Sequence, residues 1–245
     1  YDDNKLVLQS EYRQKTKSSF TIADFSITKG HDSSLDDKGD TRSHFFTNTI
    51  MDLSLDNFTY SMLEINYEKT SNDNYLKLFD LDSPLLLENN DVLESIIKLD
   101  LEHENYDLTT SFEMYETLNG SNSDRYQYVL PSYNFSKNFN LEELNGSFNF
   151  NSYGNNSLNN TNITTSTFSN DLNYTSFNSY FDNGIKANFE VLLKNINSMG
   201  KNNIKYKNSP QSELMSAYNY NFSLPLTKIN ENSFNTLIPK LSFRI

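Results

Sequence analysis

The chain has 245 residues, 36% hydrophobic and 14% aromatic, with no Cys, no Trp and a net charge of −12. That acidic balance excludes a nucleic-acid binder, which would show a basic face, and the missing Cys excludes disulfides and thiolate metal sites. The aromatic content excludes a disordered chain, yet a mean hydropathy of −0.67 is polar for a protein that must bury a core; a transmembrane β-barrel reconciles the two because lipid-facing and lumen-facing residues alternate, and a secreted β-sandwich or β-helix also fits.

Period two runs along the chain. It predicts strands near Lys5–Arg13, Ser19–Thr28, Ser43–Leu53, Phe58–Glu68, Val92–His103 and Tyr106–Leu118. Further strands are predicted near Tyr126–Ser136, Leu144–Tyr153, Thr161–Thr175, Gly184–Asn195, Glu213–Leu224 and Ser233–Arg244. In the clearest case Tyr106, Leu108, Thr110, Phe112 and Met114 share one face, and Asp107, Thr109, Ser111 and Glu113 the other. Leu144, Gly146, Phe148 and Phe150 likewise oppose Asn145, Ser147, Asn149 and Asn151, and Ile185, Ala187, Phe189, Val191 and Leu193 oppose Lys186, Asn188 and Glu190. The result is about twelve antiparallel strands, each near the roughly 9–11 residues that a tilted membrane strand needs.

Short connections are predicted at Gln14–Ser18, Ser54–Asn57, Glu104–Asn105, Lys137–Glu143, Ser176–Asn183 and Pro225–Asn232. Long ones alternate with them at Lys29–Arg42, Lys69–Asp91, Asn119–Arg125, Gly154–Asn160 and Ile196–Ser212. Tight turns on one side and longer loops on the other are what a membrane barrel requires. Gly (7) and Pro (5) are scarce for turns, and Asn pairs such as Asn155-Asn156, Asn159-Asn160 and Asn202-Asn203 take their place, since Asn tolerates left-handed backbone. Tyr and Phe near strand ends fit aromatic girdles. No run approaches the about 18 apolar residues of a membrane helix. The opening Tyr1-Asp2-Asp3-Asn4, with neither Met nor signal peptide, reads as a fragment or processed chain.

Five segments carry a resemblance. They are Leu6–Arg13, ending in Glu-Tyr-Arg; Thr41-Arg42-Ser43-His44-Phe45-Phe46; Ser71-Asn72-Asp73-Asn74-Tyr75-Leu76; Tyr128–Phe135, with a proline inside a strand; and Leu237-Ile238-Pro239-Lys240-Leu241-Ser242-Phe243-Arg244. In order and spacing they resemble the barrel of LptD, the lipopolysaccharide-assembly protein of the Gram-negative outer membrane, closest to its alphaproteobacterial forms. The Asn-rich stretch Asn151–Asn173 departs from that pattern by lacking its arginines. The resemblance implies that residues 1–245 are part of the wall of a larger barrel, without the periplasmic jellyroll. It implies that the protein inserts lipopolysaccharide into the outer leaflet. The implied partners are lipopolysaccharide, outer-membrane lipid, an LptE-like plug lipoprotein and the periplasmic Lpt bridge, with no nucleic acid.

From the residues alone, the polar faces are the candidate functional surface: Asp107, Thr109, Glu113, Asn145, Asn149, Lys186, Asn188 and Glu190 are expected to face a lumen. Pro131 and Pro239 fall inside predicted strands, where a missing ladder donor should mark a bulge or a strand end. His31, His44 and His103 lack metal-ligand spacing and are expected in loops or at interfaces. No G-x-S-x-G occurs, so neither catalysis nor a cofactor is expected. The acidic stretch Asp32–Asp40 reads as a solvated loop, with a divalent cation as the alternative. The function expected is lipopolysaccharide insertion; a porin-like passive channel and a soluble β-rich surface adhesin are the alternatives.

Overall fold

The computed structural model describes residues 6–28, 41–85, 91–121, 124–141, 145–230 and 233–245. In chain order the strands are β1 (Val7–Lys15), β2 (Ser19–Thr28), β3 (Arg42–Asp52), β4 (Tyr60–Thr70), β5 (Val92–His103), β6 (Tyr106–Thr117), β7 (Tyr126–Leu141) and β8 (Gly146–Asn159). They continue as β9 (Ile163–Ser176), β10 (Ser179–Tyr180), β11 (Lys186–Lys201), β12 (Gln211–Ser223), β13 (Leu226–Asn230), β14 (Ser233–Leu237) and β15 (Lys240–Arg244); the helix α1 (Tyr75–Phe79) lies between β4 and β5. Among the described residues no helix is long and apolar enough to cross a membrane, which has no bearing on strands.

Thirteen strands form one antiparallel sheet in the order β1-β2-β3-β4-β5-β6-β7-β8-β9-β11-β12-β15, with β10 added beside β11. β1 and β15 end this path, so among the described residues the sheet is open and does not close into a barrel. Register follows from the alternation: Phe25 faces Phe45, Ile65 faces Ile97, Ile97 faces Phe112, and Leu172 faces Leu193. A slip of one residue in any pair would move its apolar set to the opposite face.

Several boundaries differ from the sequence reading. β8 continues through Asn155-Asn156 to Asn159, so the long connection expected at Gly154–Asn160 is the turn 160–162. Cross-strand partners hold these asparagines in the ladder: Asn156 Oδ1 accepts from Ser166 Oγ at 2.5 Å. Asn160 and Asn202 do adopt left-handed φ values of 51° and 55°. The single strand expected over Ser233–Arg244 is two, β14 and β15, because Pro239 stands between them. β14 pairs with β13 as a separate two-stranded sheet, so the last connection spans 224–239 instead of a short turn. Strict alternation of short and long connections therefore fails at 160–162 and 224–239. All of Asp32–Asp40, together with His31, lies outside the described residues, as does Leu144.

Pro131 sits in β7 after a cis Leu130–Pro131 bond. There the register with β8 shifts between Val129 and Ser132, and the register with β6 shifts between Ser111 and Glu113. Proline cannot donate to the ladder, and an unpaired extra residue is how a sheet accommodates it.

Candidate functional site

The register sorts the side chains onto two faces. Reading across the strands, Phe25, Phe45, Tyr67, Ile97, Phe112, Phe135, Phe150, Leu172, Leu193 and Tyr218 share one face. Phe45, Ile97 and Phe112 are 45–51% exposed, so no element of the described chain covers them. The opposite face carries the charged and amide side chains. Contiguous apolar surface on this scale is unusual on a soluble monomer.

Rings form a band along the apolar face, toward the end where 104–105, 142–145 and 177–185 connect the strands. Phe58, Tyr106, Phe135 and Phe150 follow one another at 6.0–6.2 Å between centroids. Phe148, Tyr174, Phe189 and Tyr220 continue across β8, β9, β11 and β12 at 4.6, 5.4 and 5.9 Å. At the other end Phe45 meets Tyr67 at 6.2 Å, and Lys69 and Arg125 stand over the Tyr126 ring at 5.8 and 5.6 Å.

Seven of the eight residues expected in a lumen lie on the polar face. Thr109 Oγ1 donates to Asp100 at 2.8 Å, and Asn149 donates to Asn138 at 2.6 Å. Glu113 accepts from Ser111 Oγ and Tyr115 OH at 2.5 and 2.9 Å, while Glu190 accepts from Asn219 and Asn221 at 3.1 and 3.4 Å. Asp107 faces Glu102 across the β5–β6 pair, Lys186 stands 5.2 Å from the Tyr180 ring, and Asn188 lies beside Asn221. Asn145 is the exception. It is an exposed turn residue ahead of β8 with φ 47°, a left-handed backbone that Asn tolerates.

A feature the sequence reading missed crosses the polar face of β1–β3. The connection after β4 folds back through α1, and Tyr75, Leu76 and Leu81 pack with Phe46, Leu93 and Leu118 into a buried cluster. Beneath it lie fully buried polar groups. The Tyr75 hydroxyl is 2.7 Å from Ser26 Oγ, which is 2.7 Å from His44 Nδ1, and His44 Nε2 is 3.2 Å from Asp24 Oδ2. His44, expected in a loop or interface, is therefore a buried strand residue, stacked on Phe46 at 4.5 Å. Gln9 reaches across to the Asp82 carbonyl at 2.7 Å. Burial pushes the Tyr75 phenol up from its ordinary pKa, partly offset by the bond to Ser26. The serine and histidine belong to paired positions of adjacent strands, and the tyrosine covers both. The arrangement anchors a loop and leaves the Ser26 oxygen no approach for a substrate. The only sequence signal was an odd alternation at Asp24, Ser26 and His44, which put polar groups on a face that also carries Phe46.

A second anchor holds the same connection at the rim. Arg125 donates to Asp73 and to the buried Glu116, each at 2.6 Å, and Lys69 Nζ lies 2.7 Å from Glu116. The bond to Asp73 raises the Arg125 pKa further, so the guanidinium is charged at every working pH. Lys77 pairs with Asp91 and holds its carboxyl below the usual range.

Comparison of the chain with protein-family models finds no match, and comparison with curated protein sequences finds none either.

Proposed function

We propose that the sheet is a stretch of outer-membrane β-barrel wall, with its apolar face toward lipid and its polar face toward an aqueous lumen. The single observation that carries this reading is the uncovered apolar face bounded by aromatic bands. On β6 the face runs from Tyr106 to Glu116, which opposes Tyr126. At about 3.4 Å per residue that is roughly 34 Å along the strand. Tilted by about 35–45°, it spans roughly 24–28 Å, the height of the apolar band of such barrels. Rings suit both boundaries because one edge is apolar and the other wet.

Within that class, the lipopolysaccharide-assembly translocon of LptD type is the function proposed. Its support is the order of the five sequence segments, a polar face rich in Asn, Ser and Thr that suits a hydrated saccharide, and two open edges that leave room for further strands. No covalent chemistry is required of the wall. It gives the sugar a polar passage and the acyl chains an apolar outer surface. A porin-like channel is the second reading, favoured by one observation: the connection carrying α1 lies over the polar face, as a constricting loop does.

The chain has no cysteine, so single cysteines can be labelled cleanly. An environment-sensitive fluorophore at Ile97→Cys should report an apolar surrounding in lipid vesicles, and at the neighbouring Lys98→Cys an aqueous one. Equal signals at both sites would rule out the wall. Photocrosslinkers at Thr109 and Asn188 then separate the readings. Adducts with lipopolysaccharide favour the translocon, whereas small-solute conductance without adducts favours the channel.

A further inference from the structure

The polar face is unevenly charged. Its acids concentrate on β4–β6, for example Glu64, Glu68, Asp107 and Glu113, whereas β11 and β15 bring cations together. Three adjacent rows cross β11, β12 and β15: Lys186–Ser223–Lys240, Asn188–Asn221–Ser242 and Glu190–Asn219–Arg244. Lys186, Lys240 and Arg244 make no ion pair among the described residues, in a chain of net charge −12. The acid in these three rows is Glu190, and two asparagine amides bind it.

The first two rows line a cavity of about 310 Å³ with Asn178. With strands about 4.8 Å apart, Lys186 and Lys240 are separated at the backbone by roughly 10 Å, flanking Ser223. Two lysine side chains at that spacing can close on one small anion. Asn188 Oδ1 is enclosed and has no hydrogen-bond partner among the described residues, which leaves that amide capacity for a bound hydroxyl. The Lys186 ammonium stands 5.2 Å from the centre of the Tyr180 ring.

We propose that this cavity is a binding site for a phosphate group, carried by a phosphorylated sugar or by a lipid head group. Two ammonium groups match its charge, while the Ser and Asn side chains of the second row supply hydrogen bonds to its oxygens and to adjoining hydroxyls. The site stands at the end of the polar face where 177–185 and 224–239 connect the strands, and it does not depend on the lipopolysaccharide reading. Any ligand bearing a phosphate satisfies it.

The test uses the full chain in neutral detergent, titrated with inorganic phosphate, glucose 1-phosphate and glucose and read by calorimetry. Both phosphates should bind and glucose should not, with affinity falling as salt screens the lysines. The double variant K186Q/K240Q should weaken binding at least tenfold, and Lys15→Gln, an exposed lysine on β1, should leave it unchanged. Asn188→Asp keeps both lysines and adds a carboxylate to the cavity, so it should weaken binding as well, and circular dichroism verifies its strand content. Binding of phosphatidylglycerol vesicles but no soluble phosphate, lost in K186Q/K240Q, assigns the phosphate to lipid. Wild-type binding in the double variant, or equal loss in Lys15→Gln, overturns the site.

Discussion

The Tyr75 hydroxyl stands 2.7 Å from Ser26 Oγ, joining a short helix to a strand 49 positions earlier in the chain. Both residues are fully buried. This bond and the apolar cluster around Leu76 hold the β4–β5 connection on the polar face. Tyr75→Phe removes one hydrogen bond beside a still-paired serine and histidine, and should cost about 1 kcal/mol. Leu76→Ala opens a cavity and should cost about 2–5 kcal/mol. Limited proteolysis is the check: cleavage within 71–85 should accelerate more for Leu76→Ala than for Tyr75→Phe, while strand content by circular dichroism stays level.

The same tyrosine gives the connection an alkaline limit. Its folded pKa is raised by burial, so its contribution is complete below the unfolded value of about 10 and is lost as pH rises through the folded one. Amide exchange of residues 75–79, corrected for its intrinsic pH dependence, should show protection falling above about pH 10. In Tyr75→Phe that alkaline loss should be absent; an identical profile would assign it to another group.

Arg125 bridges Asp73 and Glu116, whose side chains are 42% and 3% exposed. Removing the guanidinium leaves a buried carboxylate with Lys69 as its remaining cation. Arg125→Ala should therefore cost about 3 kcal/mol, and Asp73→Asn less than about 1 kcal/mol because that carboxylate is screened by water. Denaturant unfolding of each variant gives the comparison.

On the apolar face, Ile97 is 51% exposed in the chain itself. Were that face in water, Ile97→Arg would change stability by less than about 0.5 kcal/mol. Facing a bilayer, it should cost about 2–4 kcal/mol. Thr109→Arg, on the polar face, should cost far less in the same vesicles. Equilibrium refolding into lipid, with both variants beside the parent, measures the difference.

Tyr174 touches Phe148 at 4.6 Å and Phe189 at 5.4 Å, in the middle of the aromatic band. Each such ring pair contributes about 0.5–1.5 kcal/mol beyond burial. Tyr174→Ala should lose both contacts, and Tyr174→Phe should keep them. The two are distinguished by their unfolding midpoints.

Period two settled a great deal without the structure. Because side chains alternate strictly along a strand, runs such as Tyr106–Met114 and Ala187–Leu193 could be assigned both a strand and a face, and pairing with neighbours confirms those faces. Pro131 was also informative, since a residue with no amide hydrogen must interrupt a ladder somewhere. Asparagine was ambiguous. The same side chain bonds across strands at Asn156 and takes the turn at Asn145 and Asn160, and only the partner strand decides which.

What the sequence by itself determined was the all-β class, most strand positions and the division into a polar and an apolar face, because alternation is a local property of the chain. Tertiary structure alone decided that the β4–β5 connection folds onto the polar face and buries Asp24, Ser26, His44 and Tyr75. It also decided that Lys186 and Lys240 share a cavity, and that Pro239 divides the last predicted strand. Each of these depends on contacts between residues remote in sequence, whose energies no local pattern records.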